Sequence, residues 1–402
     1  MASEVKLCPS CDLAVNLPLY KKGVKCSCPR CKSVLRSGRL VSLYDSAVMA
    51  IAALIFFVLS LVEPFLSLST FGMHQEMRLI SIFYVLNNNW LLLLYAFILF
   101  TFIFPLSMLL IIIWAGLFKF KVTPTLAEIY TFSYRFCMID VFVLGVAVSL
   151  IKLTALVDVS FHSGFIISGI FSAMMIWLYT KVRPDDIWDL VKKSKEEIIA
   201  GVLGKEQSLT TCKHCSFVYN FKHNEKCPRC GHINGARHYD CMQKSVALLL
   251  AAIILYFPSN LYPIMITSYL GSDTGSNILE GVITLWQMDS YFVAIVIFLA
   301  SICIPVLKII ALIILLSIVK YKKPQHPLLL SKLFRVVAFI GKWSMIDVFV
   351  VIIMTSVVRF SGLMTIDPGF AIITFCLVVI ITMFAAESFD ERLIWDRVNG
   401  RS

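Results

Sequence analysis

Met138-Ile-Asp-Val-Phe-Val143 and Met345-Ile-Asp-Val-Phe-Val350 are one hexapeptide written twice, 207 positions apart. Sliding the chain against itself extends the match in both directions. Cys28-Pro-Arg-Cys31 falls on Cys227-Pro-Arg-Cys230 and Pro64 on Pro263 at a spacing of 199, Pro105 on Pro305 at 200, and Ile187-Trp-Asp189 on Ile394-Trp-Asp396 at 207. Ordered matches whose spacing drifts only at loops mean duplication of one unit.

The unit is a membrane unit. The 402 residues are 59% hydrophobic with a mean hydropathy of +0.83, more apolar surface than a water-soluble domain can bury. Runs of about 20 apolar residues match a hydrocarbon core ~30 Å thick at about 1.5 Å of rise per residue. They predict helices over 45–69, 90–118, 134–157 and 163–182, then 245–269, 291–319, 336–360 and 368–387. An even number of crossings per half makes the repeats parallel, unlike the inverted repeats of many transporters.

The net charge is +11, and its placement gives the orientation. Lys and Arg crowd residues 1–44, 119–135, 181–244 and 320–342 and the C-terminal tail, while the alternate connections carry only Arg78 as a base beside six acids. The positive-inside rule then puts both termini and the central segment in the cytoplasm, with the chain multi-pass in the inner membrane. Membrane topology accounts for the charge without a nucleic-acid partner. The start, MASEVKLCPSCDLAV, lacks the pattern of a cleaved signal peptide and is expected to be retained.

Eight of the thirteen cysteines form four CxxC pairs. Cys8, Cys11, Cys28 and Cys31 make one set, and Cys212, Cys215, Cys227 and Cys230 the other. Each offers four thiolates as two knuckles on a hairpin, the arrangement tetrahedral Zn²⁺ needs. Segments this short lack a core of their own, so the metal would supply most of their folding free energy. Iron uses the same spacing, and a redox dithiol needs one CxxC; paired knuckles in both halves favour one structural zinc per ribbon. Cys26 is a spare thiol, His214, His223 and His232 flank a tetrahedron already filled, and Cys137, Cys241, Cys303 and Cys376 read as small buried apolar residues.

The expected fold is therefore an all-α polytopic membrane protein: two parallel repeats of about four helices, each preceded by a four-cysteine zinc ribbon of short β-hairpins. Its parts are a ribbon over 1–43, a membrane module over 44–184, a linker over 185–207, a second ribbon over 208–240, a second module over 241–390 and a tail over 391–402. The linker alternates apolar residues with Lys and Glu, which fits an amphipathic helix on the membrane interface or a solvated connector.

Polar groups within the spans are few, and each needs a reason. Asp140 and Asp347 sit in the repeated hexapeptide, with Lys152 and Arg359 twelve residues on; the bases could snorkel to headgroups or serve transport. Lys308 stands mid-span in Ile304-Pro-Val-Leu-Lys-Ile-Ile310, and counting from the basic ends predicts that it pairs with Asp347, with Met108 at the corresponding place in the first half. Pro64, Pro105, Pro263 and Pro305 predict kinks inside spans. Glu63 and Asn260 place polar groups near the outer end of each first helix, as a groove rim or as ordinary interfacial residues.

With the paired Cys-Pro-Arg-Cys ribbons, Leu255-Tyr-Phe-Pro-Ser-Asn-Leu-Tyr-Pro-Ile264, Gly341-Lys-Trp-Ser-Met-Ile-Asp-Val-Phe-Val350 and Phe389-Asp-Glu-Arg-Leu-Ile-Trp-Asp396, the chain resembles the paraquat-inducible protein A (PqiA/LetA) family over nearly its whole length, nearer the PqiA branch. The resemblance implies a subunit of an intermembrane phospholipid transport system, partnered by a periplasm-spanning MCE (mammalian cell entry) protein of the PqiB-like kind and serving the cell envelope. It implies no residue-level transport mechanism. No Walker GxxxxGK[ST], GxSxG or HExxH pattern is present, so neither a nucleotide site nor a hydrolase is expected. A metal or redox sensor built on the ribbons and an ion-coupled exporter built on the buried charges are the competing readings.

Overall fold

The computed structural model describes residues 4–18, 26–36, 42–70, 73–87, 90–118, 122–154, 158–192, 198–220, 226–232, 241–269, 272–287, 289, 291–321, 324–357, 359–360 and 364–398. Among them are eight helices long and apolar enough to cross a membrane: α1 Leu43–Val62, α2 Leu91–Leu117, α3 Pro124–Leu150 and α4 Ser163–Lys181, then α5 Cys241–Leu261, α6 Ala294–Tyr321, α7 Pro327–Ser356 and α8 Phe370–Ser388. The four-plus-four order matches the duplication, and the chain is a multi-pass membrane protein. α1 opens on a capping box, with Ser42 accepting from the Asp45 amide and Asp45 accepting from the Ser42 amide, which satisfies donors an apolar helix start would leave bare.

The prolines act in two ways. Ahead of Pro105 the helix widens into a π turn over Leu99–Ile103, the Phe104 amide bonding back to the Leu99 carbonyl. Leu299–Cys303 does the same ahead of Pro305, through Ile304 and Leu299. Proline removes a helical donor and crowds the preceding turn, and one wider turn absorbs both effects. Pro64 and Pro263 do not kink their helices as expected. They stand just beyond the ends of α1 and α5 and terminate them, so the helices expected to reach residues 69 and 269 stop seven or eight residues earlier.

Beyond those stops the chain turns to β structure that the sequence did not announce. Leu66–Thr70 pairs antiparallel with Met73–Met77 and Asp158–Phe161. Met265–Tyr269 pairs likewise with Ser272–Ser276 and Met364–Pro368, and Arg359–Phe360 extends that sheet. Each half thus carries a small sheet at one end and a ribbon at the other. At the opposite end α3 and α7 begin earlier than expected, because the basic connections continue as helix over Pro124–Phe136 and Pro327–Ile340. Both spans change geometry just before the repeated hexapeptide: α3 is extended at Cys137, and α7 tightens into a 3-10 turn over Gly341–Met345.

The halves meet through the duplicated hexapeptides themselves. Phe142 and Phe349, equivalent residues, stack edge-on with ring centroids 5.6 Å apart, a favoured aromatic geometry. Gly145 permits the approach, since a Cβ there would lie 3.0 Å from that of Phe349. A pseudo-two-fold axis therefore runs between α3 and α7. Within the first half α1 lies against α2 and α4, and within the second α5 lies against α8.

The linker departs from both readings of it. Among its described residues only Pro184–Val191 forms an α-helix. Ile187 and Trp188 of that helix are buried against α3, with the Trp188 indole donating to Thr131 at 2.9 Å. Residues 198–203 run as non-helical chain alongside the first ribbon. The Ala14 amide donates to Val202, the Gly201 amide to Ala14, and Leu13 bridges Leu203. The part of the expected helix over 193–197 lies outside the described residues.

Candidate metal centres and charged cavity

The four knuckles are built alike. In each, the amide after the second cysteine donates to the carbonyl of the first: Asp12 to Cys8, Lys32 to Cys28, Ser216 to Cys212 and Gly231 to Cys227, at 2.8 to 3.0 Å. Those same four residues have φ between 53° and 75°. That left-handed step turns the chain back so that both thiols of a pair face one point, a step Gly231 takes without strain.

The donor sets fit a metal. All four Sγ atoms of each cluster lie within 4.8 Å of one another. Among the pairs, Cys8–Cys31 and Cys11–Cys28 stand 3.5 Å apart, and Cys212–Cys230 and Cys215–Cys227 3.6 Å apart. Tetrahedral ligands at a Zn–S distance of about 2.3 Å stand about 3.8 Å apart, whereas a disulfide needs about 2.0 Å. Contact with Cys11 lowers the Cys31 thiol, and contact with Cys212 lowers that of Cys227, well below the usual thiol range, while their partners Cys11 and Cys215 are raised. Cys26 stays outside the cluster. His232 and His214 stack at 4.3 Å beside the second ribbon, with His232 against Glu128 at 3.3 Å; His223 lies outside the described residues. Cys137, Cys241 and Cys376 are buried and Cys303 half-buried.

Docking of the ribbons explains the arginine of each Cys-Pro-Arg-Cys. Arg30 lies over the Trp395 ring at 4.7 Å and Arg229 over that of Trp188 at 5.8 Å. Each arginine also donates to a ribbon carbonyl, Arg30 to Cys11 and Arg229 to Cys215. The two tryptophans are equivalent, and each bonds a hydroxyl near the start of the third span of its own half, Trp188 to Thr131 and Trp395 to Ser331. The first ribbon therefore rests on the last helix of the second half, Arg392–Val398, and the second ribbon on the last helix of the first half. Arg335 of α7 fixes the first ribbon further by donating to the Cys31 carbonyl at 2.6 Å.

Beneath the ribbons, between the halves, lies a cavity of about 370 Å³ whose lining includes Tyr134, Lys213, Lys308, Lys342, Glu387 and Glu391. Several of its charges are matched: Arg135 pairs with Glu387 across the halves, and Arg392 with Asp390 at 2.8 Å. Burial alone would raise Asp390, but Arg392 outweighs it and holds the carboxyl well below the usual range. Burial pushes the Lys213 ammonium down to about 8, and its protons go to the carbonyls of Glu387, Ser388 and Phe389 at the end of α8. Burial raises Glu391 to about 7, against the pull of Arg335, 3.5 Å away.

The intramembrane residues separate. Lys308 is buried as expected, but it donates to Thr382 on α8 at 3.0 Å rather than to Asp347. It lies against Gly341, where an added Cβ would stand 2.8 Å from its Nζ. Only six residues of α7, not twelve, thus separate Arg335 from the level of Lys308, because the start of α7 rises alongside the first ribbon. Asp347 lines a separate cavity of about 30 Å³ with Asn277, Gly281 and Ser301. Asp140, its duplicate, is exposed.

Glu63 accepts from Ser163 at 2.7 Å, and Asn260 donates back to the Tyr256 carbonyl at 2.9 Å; both close helix ends. Lys152 belongs to the helix Ile139–Thr154 and Arg359 to the sheet-end strand, their side chains outside the described residues. Sequence reading missed Lys342, Tyr179 and Thr382. Lys342 aligns with Arg135 in the self-comparison, and that pairing was the available signal.

These features define a duplicated, multi-pass membrane protein with two four-cysteine clusters able to hold a metal ion at one end of its bundle. The family description "Paraquat-inducible protein A" matches residues 43–192 and 242–399, once per half, and the chain belongs to that family. It is 35% identical over 403 residues to the Escherichia coli K12 protein named intermembrane transport protein PqiA, covering 98% of this chain and 96% of that one. It is 28% identical over 410 residues to a probable intermembrane transport protein of Haemophilus influenzae, with the same coverage. To the lipophilic envelope-spanning tunnel protein A of E. coli K12 it is 28% identical over 402 residues, 98% of this chain and 91% of that one. No solved structure matches the chain.

Proposed function

We propose that the chain is the inner-membrane subunit of an MCE-type intermembrane phospholipid transport system, passing lipid between that membrane and a periplasm-spanning MCE partner. End-to-end similarity to proteins named for intermembrane transport carries the reading. The architecture supports it: a lipid-solvated bundle presents two sheets at one end, with edge strands Met73–Met77 and Ser272–Ser276 available for a partner. The ribbon end faces the cytoplasm, as the basic residues direct, and each ribbon holds one Zn²⁺. The chain acts by conveying lipid and not by catalysis, with ribbons over 1–43 and 208–240 and membrane modules over 44–184 and 241–390. Lys308 and Asp347 are its candidate transport residues.

The test is reconstitution. Vesicles holding this chain with a periplasmic MCE protein should pass fluorescent phospholipid to acceptor vesicles faster than vesicles holding the MCE protein alone. Equal rates would overturn the reading.

A further inference from the structure

The niche that holds Lys308 has a twin. Lys308 on α6 and Thr382 on α8 correspond to Met108 on α2 and Met175 on α4, and both methionines are buried. At the equivalent positions of the first half, two buried, flexible apolar side chains serve where packing is all that is required. In the second half the same space holds an ammonium, only 4% exposed, whose hydrogen bond goes to a neutral hydroxyl. Burying such a charge is costly unless an anion meets it.

Lys342 repeats the pattern at the wall of the same cavity. It donates to the Tyr179 hydroxyl at 3.1 Å, and Asp140 is the carboxylate within its electrostatic reach. The remaining bases of the cavity are already engaged, Arg135 by Glu387, Arg392 by Asp390 and Lys213 by the end of α8. Two lysines with hydroxyl partners are left facing about 370 Å³ of space, a volume in the range of small-ligand sites. Phe136, Phe334 and Met383 give it an apolar wall.

We propose that this cavity is an anion site for one phosphate group, held by Lys308 and Lys342 with Thr382 and Tyr179 as hydroxyl partners. The phosphate comes either from a lipid headgroup, whose hydrocarbon lies against the apolar wall, or from free inorganic phosphate. A lipid source rests on the transport reading above; the anion site does not.

The experiment uses the purified full-length protein in an uncharged detergent and tracks its melting temperature. The probes are inorganic phosphate, dihexanoyl phosphatidic acid and uncharged dihexanoylglycerol. Phosphatidic acid should raise the melting temperature and dihexanoylglycerol should not. A matching rise with inorganic phosphate identifies the free anion as sufficient, and its absence identifies the headgroup as the source.

Lys308→Met with Thr382→Met rebuilds the apolar twin niche, so this variant should fold. Half-saturation should shift to about ten-fold or more higher concentration, as expected when a buried charged hydrogen bond is lost. Lys342→Gln provides the same readout should the double variant fail to fold. No response in the parent protein, an equal response to dihexanoylglycerol, or an unchanged response in the variants would overturn the site. Lipid transfer lost while phosphate binding persists would count against transport and leave the site standing.

Discussion

Arg30 and Arg229 show how much one side chain carries here. Each joins a metal ribbon to a tryptophan of a distant helix while bonding a carbonyl inside its own ribbon, and Arg229 also pairs with Asp189 at 3.0 Å. Lysine keeps the charge but lacks the planar fork that does both jobs. Arg229→Lys should therefore weaken the docking of the second ribbon by about 1–2 kcal/mol, read as faster metal loss to a chelator, with Arg30→Lys acting on the first ribbon. Glu391 gives a pH effect whose sign is fixed. Its folded-state affinity for a proton is raised from the ordinary carboxylate range to about 7, so its contribution is fully present below pH ~4.5 and is lost as pH rises through about 7. Between pH ~6 and ~8 the protein should lose about 1 kcal/mol of stability through this group. Thermal melts should show Glu391→Gln free of that loss.

The small sheets mark the boundary of what could be read from the chain. Spans, duplication, knuckles and family were legible because apolar runs, repeats and CxxC spacing are local signals. The strands were not, since Leu66–Thr70 and Met265–Tyr269 continue an apolar run, and their partners Asp158–Phe161 and Met364–Pro368 lie about a hundred residues away. The Lys308 pairing failed because counting from basic residues assumed that Arg335 marks the membrane edge, whereas Arg335 is bonded to a ribbon. The same sheets make a sharp prediction about Gly369, at the entry to α8. A methyl group there would collide with the carbonyl of Pro263, where the end of α5 passes. Gly369→Ala should cost on the order of 2 kcal/mol or more, as overpacking against backbone does, while Gly281→Ala, with open space around it, should not. Melting temperatures of the two variants test the contrast.

At the scale of the molecule, metal is expected to govern the ribbon end. Structural zinc in a domain this small is worth on the order of 10 kcal/mol, so Cys28→Ser or Cys227→Ser should each remove one of two bound metals, counted by elemental analysis. The ribbon hit should become sensitive to protease while the helices keep their circular dichroism. Duplication left the scaffold near-symmetric, and Lys308 and Thr382, standing where the first half has Met108 and Met175, set the two halves apart. Because the first ribbon is seated on the second half, and the second ribbon bridges the last helix of the first half and the end of α8, the two halves are interlocked. Those contacts between the folded parts then do the holding, and the chain can be cut between residues 192 and 198. Two polypeptides severed there and made in the same cell should purify as one complex through a tag on either, embracing as a homodimer would before its two genes were fused.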